Sequence, residues 1–122
     1  MNQAVATERQ NLSTRTEQFG LRVRKWIRCF PKYIQYSDDA KQLIRSSGSV
    51  GANYIEANES LGRQDCAMHL KICRKEARES AFWLRLLAEI VPAVLQQERA
   101  ALHQEAEELL RIFQTIIRKY YT

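Results

Sequence analysis

Apolar side chains recur along this chain at steps of three and four, and no period-two run is long enough for a strand, so the pattern predicts helices throughout. Phe19, Val23, Trp26 or Ile27, and Phe30 share one face of a first helix, which Pro31 ends near Phe30. After the short connector "YIQY", Ser37 or Asp38 serves as an N-cap, with a further aspartate in the first turn to meet the helix dipole. From Cys66 onward the chain carries two apolar stripes. Cys66, Leu70, Cys73, Ala77, Ala81, Leu84, Ala88 and Val91 form one; Met68, Ile72, Trp83, Leu86 and Ile90, with Glu79 among them, form the other. Opposite both lie Lys71, Lys75, Arg78, Arg85 and Glu89. Two stripes on one helix imply burial on two sides. Pro92 ends or kinks that helix. The last helix repeats the pattern through Leu102, Ala106, Leu109, Phe113, Ile116 and Tyr120, with Glu105, Glu107, Glu108, Arg111 and Arg118 on its polar side. Residues 1–15 are polar and unpatterned, which predicts a disordered or frayed arm ahead of an all-α domain over 16–122.

One segment resists an immediate reading: "RSSGSVGANYIEANES", Arg45 to Ser60, rich in serine, glycine and asparagine. A loop of that length is unusual in a small domain. A phosphate loop needs G-x-x-x-x-G-K-[ST] after a strand, and this segment has neither the lysine nor the strand. Its G-x-x-G also occurs in KH loops, but that fold requires a sheet. Read as a helix, the segment falls into register. Ala40, Leu43, Ser47, Val50, Tyr54, Ala57 and Leu61 make an apolar side, and Gln42, Arg45, Ser49, Asn53, Glu56 and Ser60 a polar stripe. Each helical glycine costs up to about 1 kcal/mol against alanine. Gly48, Gly51 and Ala52 are therefore expected at a close helix–helix contact.

Composition agrees. Glycine (4) and proline (2) are scarce in the 122 residues. Nothing resembles a signal peptide or a membrane span, and three cysteines suit a reducing compartment, so a cytoplasmic location is expected. Charge changes the picture more. Residues 1–36 hold seven Lys/Arg against two acidic side chains, and the remainder is balanced, so the whole excess of +5 lies in the first third. Arg22, Arg24, Lys25 and Arg28 are accordingly candidate nucleic-acid contacts, with RNA or DNA as a candidate partner.

The remaining chemistry is sparse. Gln42, Arg45, Ser49, Asn53 and Glu56 are expected to join Glu76 and Glu79 in a structural polar network, because buried ionic groups require pairing. As an acid–base pair the two carboxylates lack a nucleophile and an orienting third group, so no catalytic residue is assigned and no enzyme activity is expected. Cys66, His69 and Cys73 span too much of one helix to close on one ion, even with His103 or Cys29 added, and neither histidine follows a glutamate by three. No metal or cofactor is assigned. Phe82, lying among Arg78, Arg85 and neighbouring cations, is a candidate subunit or partner contact. Leu110, Ile112 and Ile117 beside the last stripe add to an apolar surplus larger than one bundle hides, which predicts self-association.

The polar identities within the stripes carry a resemblance. Gln42, Arg45, Ser46, Ser49, Val50, Ala52, Asn53, Tyr54, Glu56 and Ala57, followed by "KEARES" and Trp83-Leu84, resemble the bacterial four-helix-bundle proteins first noticed in intervening sequences of 23S ribosomal RNA genes. The likeness runs from about Phe19 to Tyr120. It implies an antiparallel up-down four-helix bundle that assembles into a homo-oligomeric ring, typically a homopentamer, without established enzymatic activity. It also implies a relation to the accessory protein of diversity-generating retroelements, a basic bundle that associates with a reverse transcriptase and nucleic acid. The chain departs from the first family where Cys66 replaces a usual phenylalanine and where "LG" interrupts a polar lead.

Overall fold

The computed structural model describes the backbone of residues 3–122 and the side chains of residue 9 and residues 11–122; Met1 and Asn2 of the expected arm lie outside the described residues. Four long helices dominate: α1 (Gln3–Ile27), α3 (Asp38–Asn58), α4 (Arg63–Leu87) and α5 (Gln96–Tyr120). A one-turn α2 (Lys32–Gln35) lies between α1 and α3, and a 3-10 turn, Ala93–Leu95, precedes α5. No strand occurs among the described residues. The chain is all-α.

α1 reaches back through the stretch read as an arm. Leu12 is buried against the core, and Arg15 is gripped by Glu105 at 2.8 Å and Glu108 at 3.0 Å, so α5 fixes these turns although they lack an apolar stripe. The opposite end stops early, at Ile27. There the N–H groups of Cys29 and Phe30 turn to the carbonyls three residues back, and Pro31 follows. Ser37 caps α3, its hydroxyl accepting from the Ala40 N–H at 3.2 Å. α4 ends at Leu87, before Pro92, in a run of similarly tightened turns over Ala88–Ile90.

The helices close a four-membered circuit: α3 packs on α4, α4 on α5, and α1 on both α3 and α5. Phe19, Val23, Leu43, Val50, Leu84 and Phe113 are among the fully enclosed core side chains. The Arg45–Asn58 ambiguity resolves as continuous helix. Leu61, expected on its apolar side, is fully exposed because α3 has already ended at Asn58. On α5 the core runs through Leu102, Ala106, Leu109, Phe113 and Ile117, a final step of four where Ile116 and Tyr120 were expected. Ile116 flanks the core instead and Tyr120 is exposed.

Small residues let α1 and α3 approach. A Cβ at Gly20 would lie 3.8 Å from the Gly48 Cα, and one at Gly51 would lie 3.5 Å from the Thr16 hydroxyl. One at Gly48 would come within 2.8 Å of the Arg24 guanidinium. Ala52 is exposed beside this contact, which the two glycines make with α1.

Candidate functional site

α4 buries one stripe and leaves the other outside. Leu70, Cys73, Ala77, Ala81, Leu84 and Leu87 face the core. Of the second stripe, Met68 (49% exposed), Leu86 (39%) and, just past the helix end, Ile90 (46%) stay accessible, Ile72 is half-buried and Trp83 flanks the core; Phe82 (43%), from the outward face, lies beside them. Phe82 sits edge-on to Trp83, ring centres 4.9 Å apart. Met68, Ile72, Phe82 and Trp83 line a groove of about 770 Å³ along the outer face of α4.

The same groove is basic. Lys71, Arg74, Lys75 and Arg78 line it, and none has an acidic partner among the described residues. The even charge balance of residues 37–122 conceals this face because six of the acids there pair with arginines other than these four cations, including Glu79, which lines the groove but is held by Arg45. Glu105 and Glu108 hold Arg15, Glu98 meets Arg22 at 3.3 Å, and Glu107 approaches Arg85 at 3.7 Å. Arg85, at the end of the groove, also lies 3.2 Å from His103 Nε2. Burial holds that histidine below its usual value, aided by the Arg85 and Arg99 charges and opposed by Glu107, so the imidazole is neutral and accepts.

A polar seam supports the helix from behind. Arg45 of α3 reaches Glu76 at 3.2 Å, Glu79 at 2.6 Å and the Gln42 side-chain carbonyl at 3.2 Å. Glu76 is buried; burial first, and the adjacent Glu79 charge second, raise its carboxyl above the ordinary range, while Arg45 pulls it down. Beneath them the Ser46 and Ser80 hydroxyls, both buried, meet at 2.9 Å. Farther along, Asn53 donates to the Ser49 carbonyl at 2.9 Å, and its own side-chain oxygen lies 3.1 Å from His69 Nδ1. The expected network is thus divided into an Arg45 cluster and an Asn53 cluster. Glu56 is exposed and joins neither ion-pair group.

The candidate nucleic-acid residues are not gathered. Arg22 faces α5, whereas Arg24 faces α3, donating to the Gly20 carbonyl at 2.9 Å and the Ile44 carbonyl at 3.1 Å. Only Lys25 and Arg28 are exposed. Arg24 is a helix-joining residue, and no single cationic face contains all four.

The thiols are dispersed as well. Cys66 lies 3.2 Å from the Tyr121 hydroxyl, and Cys73 faces the Val50 carbonyl at 3.4 Å. Burial pushes the Cys73 thiol up to about 12, so it stays protonated at neutral pH. Among the described residues no three His, Cys, Asp or Glu side chains converge as metal ligands. Sequence reasoning overlooked the Arg15–Glu105 clamp and the Arg24 bridge; a long cation on an interhelical flank, with glycine opposite, is the signal that marks the second.

The family model for the 23S rRNA-intervening sequence protein matches residues 8–115. The chain belongs to that family. A solved structure with the same fold comes from Bacteroides thetaiotaomicron, described as a protein of unknown function from the S23 ribosomal protein family. It is 25% identical, with a TM-score of 0.79 over 90% of this chain and 97% of that one. No curated protein matches the chain. The family match contains both the α3–α4 polar seam and the outer face of α4. No helix among the described residues is long and apolar enough to cross a membrane.

Proposed function

We propose that this family member is a non-enzymatic, self-assembling scaffold: an antiparallel up-down four-helix bundle whose outer α4 face is the contact between copies, closing a homo-oligomeric ring that the family resemblance puts at five. The direction of the helices is supported by side-chain pairs whose numbers rise on one helix as they fall on the other: Arg15 with Glu105 and Arg22 with Glu98, Arg45 with Glu76 and Asn53 with His69. The observation that carries assembly is the uncovered apolar row Met68–Phe82–Leu86 on a helix whose other stripe already fills the core, continued by Ile90 just past the helix end. Such rows are characteristic of interfaces. The non-enzymatic reading rests on Glu76 and Glu79 both being held by Arg45.

Phe82→Glu tests this. It places a charge at the centre of the row without touching the core, so helical content is retained while the particle falls to the 14.3 kDa of one chain in sedimentation. A variant that sediments like the wild type contradicts the assignment of this face.

A second reading rests on Lys71, Arg74, Lys75 and Arg78, which present unpaired positive charge on the same groove. It makes the protein a nucleic-acid-binding accessory through α4 rather than through α1. Binding of RNA or DNA that weakens steeply with salt, and disappears in Lys75→Glu/Arg78→Glu, favours it.

A further inference from the structure

The end of the bundle where α3 finishes and α4 begins is open, and the opening leads into a cavity of about 310 Å³. That volume lies at the small end of the range for ligand pockets, roughly 300–1,000 Å³. Its floor is apolar and belongs to the core itself: Leu12, Ala57 and Leu70 are all buried, and Ile116 flanks them. Its rim is polar and positively charged. Arg9 and Arg63 line it together with Asn58, and no carboxylate does so among the described residues.

The rim is also held in place. Arg63 stacks over the Tyr121 ring, 4.7 Å from its centre, and donates to the Tyr120 carbonyl. These contacts orient the guanidinium at the mouth without neutralising it. The Tyr121 hydroxyl is fixed in turn by Cys66 at 3.2 Å. A cavity with an apolar floor and, at its entrance, a fixed cation without a carboxylate partner among the described residues selects a ligand with one apolar end and one anionic end.

We propose that this end of the bundle binds a small anionic amphiphile, a carboxylate on a short aliphatic body, with the carboxylate on Arg63 and the body over Leu70 and Ile116. Arg9 adds a second positive charge beside the first. The site is independent of the outer α4 face, since none of the residues lining the cavity lines that groove.

The test uses the full chain, with octanoate, octan-1-ol and inorganic phosphate as separate probes in amide-resolved NMR titrations. Octanoate produces saturable shifts at Ala57, Cys66 and Leu70. Octanol, with the same body and no charge, binds about tenfold more weakly, and phosphate alone produces no shifts there. Arg63→Gln weakens octanoate about tenfold and leaves octanol unchanged, while Arg63→Lys restores most of the difference. Both variants change only the rim, and circular dichroism verifies that they fold. In a Cys29→Ser background, saturating octanoate also slows alkylation of Cys66, because the bound body covers the sulfur. Equal binding of octanoate and octanol overturns the proposal, as does the absence of saturation or a response confined to the outer face of α4.

Discussion

Arg45 stands between two carboxylates in different surroundings: Glu76 is buried and Glu79 is partly open. Removing the cation by Arg45→Met leaves a buried negative charge beside another one. The expected loss is about 2–3 kcal/mol in urea unfolding, below the usual cost of breaking a fully buried pair because Arg45 is half-exposed. Glu76→Gln has the opposite sign. The folded protein holds the Glu76 proton more tightly than the unfolded chain does, so ionised Glu76 opposes folding above the raised value, and that penalty fades as pH falls through it toward the ordinary carboxylate range. Arg45 retains Glu79 in the variant. Glu76→Gln is therefore more stable than wild type at pH 7, and the advantage narrows at pH 5. An advantage that widens on acidification means Glu76 is stabilised as the anion.

At the scale of elements, α3 separates its two helical glycines by what stands opposite them. A methyl group at Gly51 meets Thr16 at ordinary contact distance, whereas at Gly48 it meets the Arg24 guanidinium at 2.8 Å. Gly51→Ala is expected to gain part of the roughly 1 kcal/mol propensity difference. Gly48→Ala displaces Arg24 from the Ile44 carbonyl, losing a charge-assisted bond of about 1.5–3 kcal/mol and leaving a net loss near 1 kcal/mol. Thermal melts should rank Gly51→Ala at or above wild type and Gly48→Ala below it; the reverse order contradicts the bridge. Much of α3 was legible in sequence, from the Ser37 cap to the stripe Leu43, Val50, Tyr54 and Ala57. Periodicity assigns a residue to a face but not to a neighbour. That is why Arg22, Arg24, Lys25 and Arg28, at the end of α1 and just past it, read as one patch when Arg22 and Arg24 turn to different helices. It is also why the final α5 contact read as Ile116 rather than Ile117, since steps of three and four diverge by the last turn. The turns of α1 before residue 16 were illegible for another reason: an ion pair with α5, about 90 residues away in sequence, holds Arg15 in place.

For the whole molecule, two facts about charge and apolar surface converge on α4. Ion pairs among α1, α3, α4 and α5 engage Glu76, Glu79, Glu98, Glu105, Glu107 and Glu108, and leave Lys71, Arg74, Lys75 and Arg78 of the α4 groove unmatched among the described residues. The core takes one stripe of that helix and leaves Met68, Phe82 and Leu86 uncovered, with Ile90 beyond its end. Self-assembly through this face hides the row, and salt then strengthens association by screening cations brought together. Sequence indicated the surplus and pointed to Phe82, but not which α4 stripe stays uncovered, because two stripes imply burial on two sides. The most direct measurement is the mass of the wild-type chain by light scattering at micromolar concentration. A multiple of 14.3 kDa is expected, fivefold for the ring, whereas a monodisperse mass of 14.3 kDa contradicts assembly.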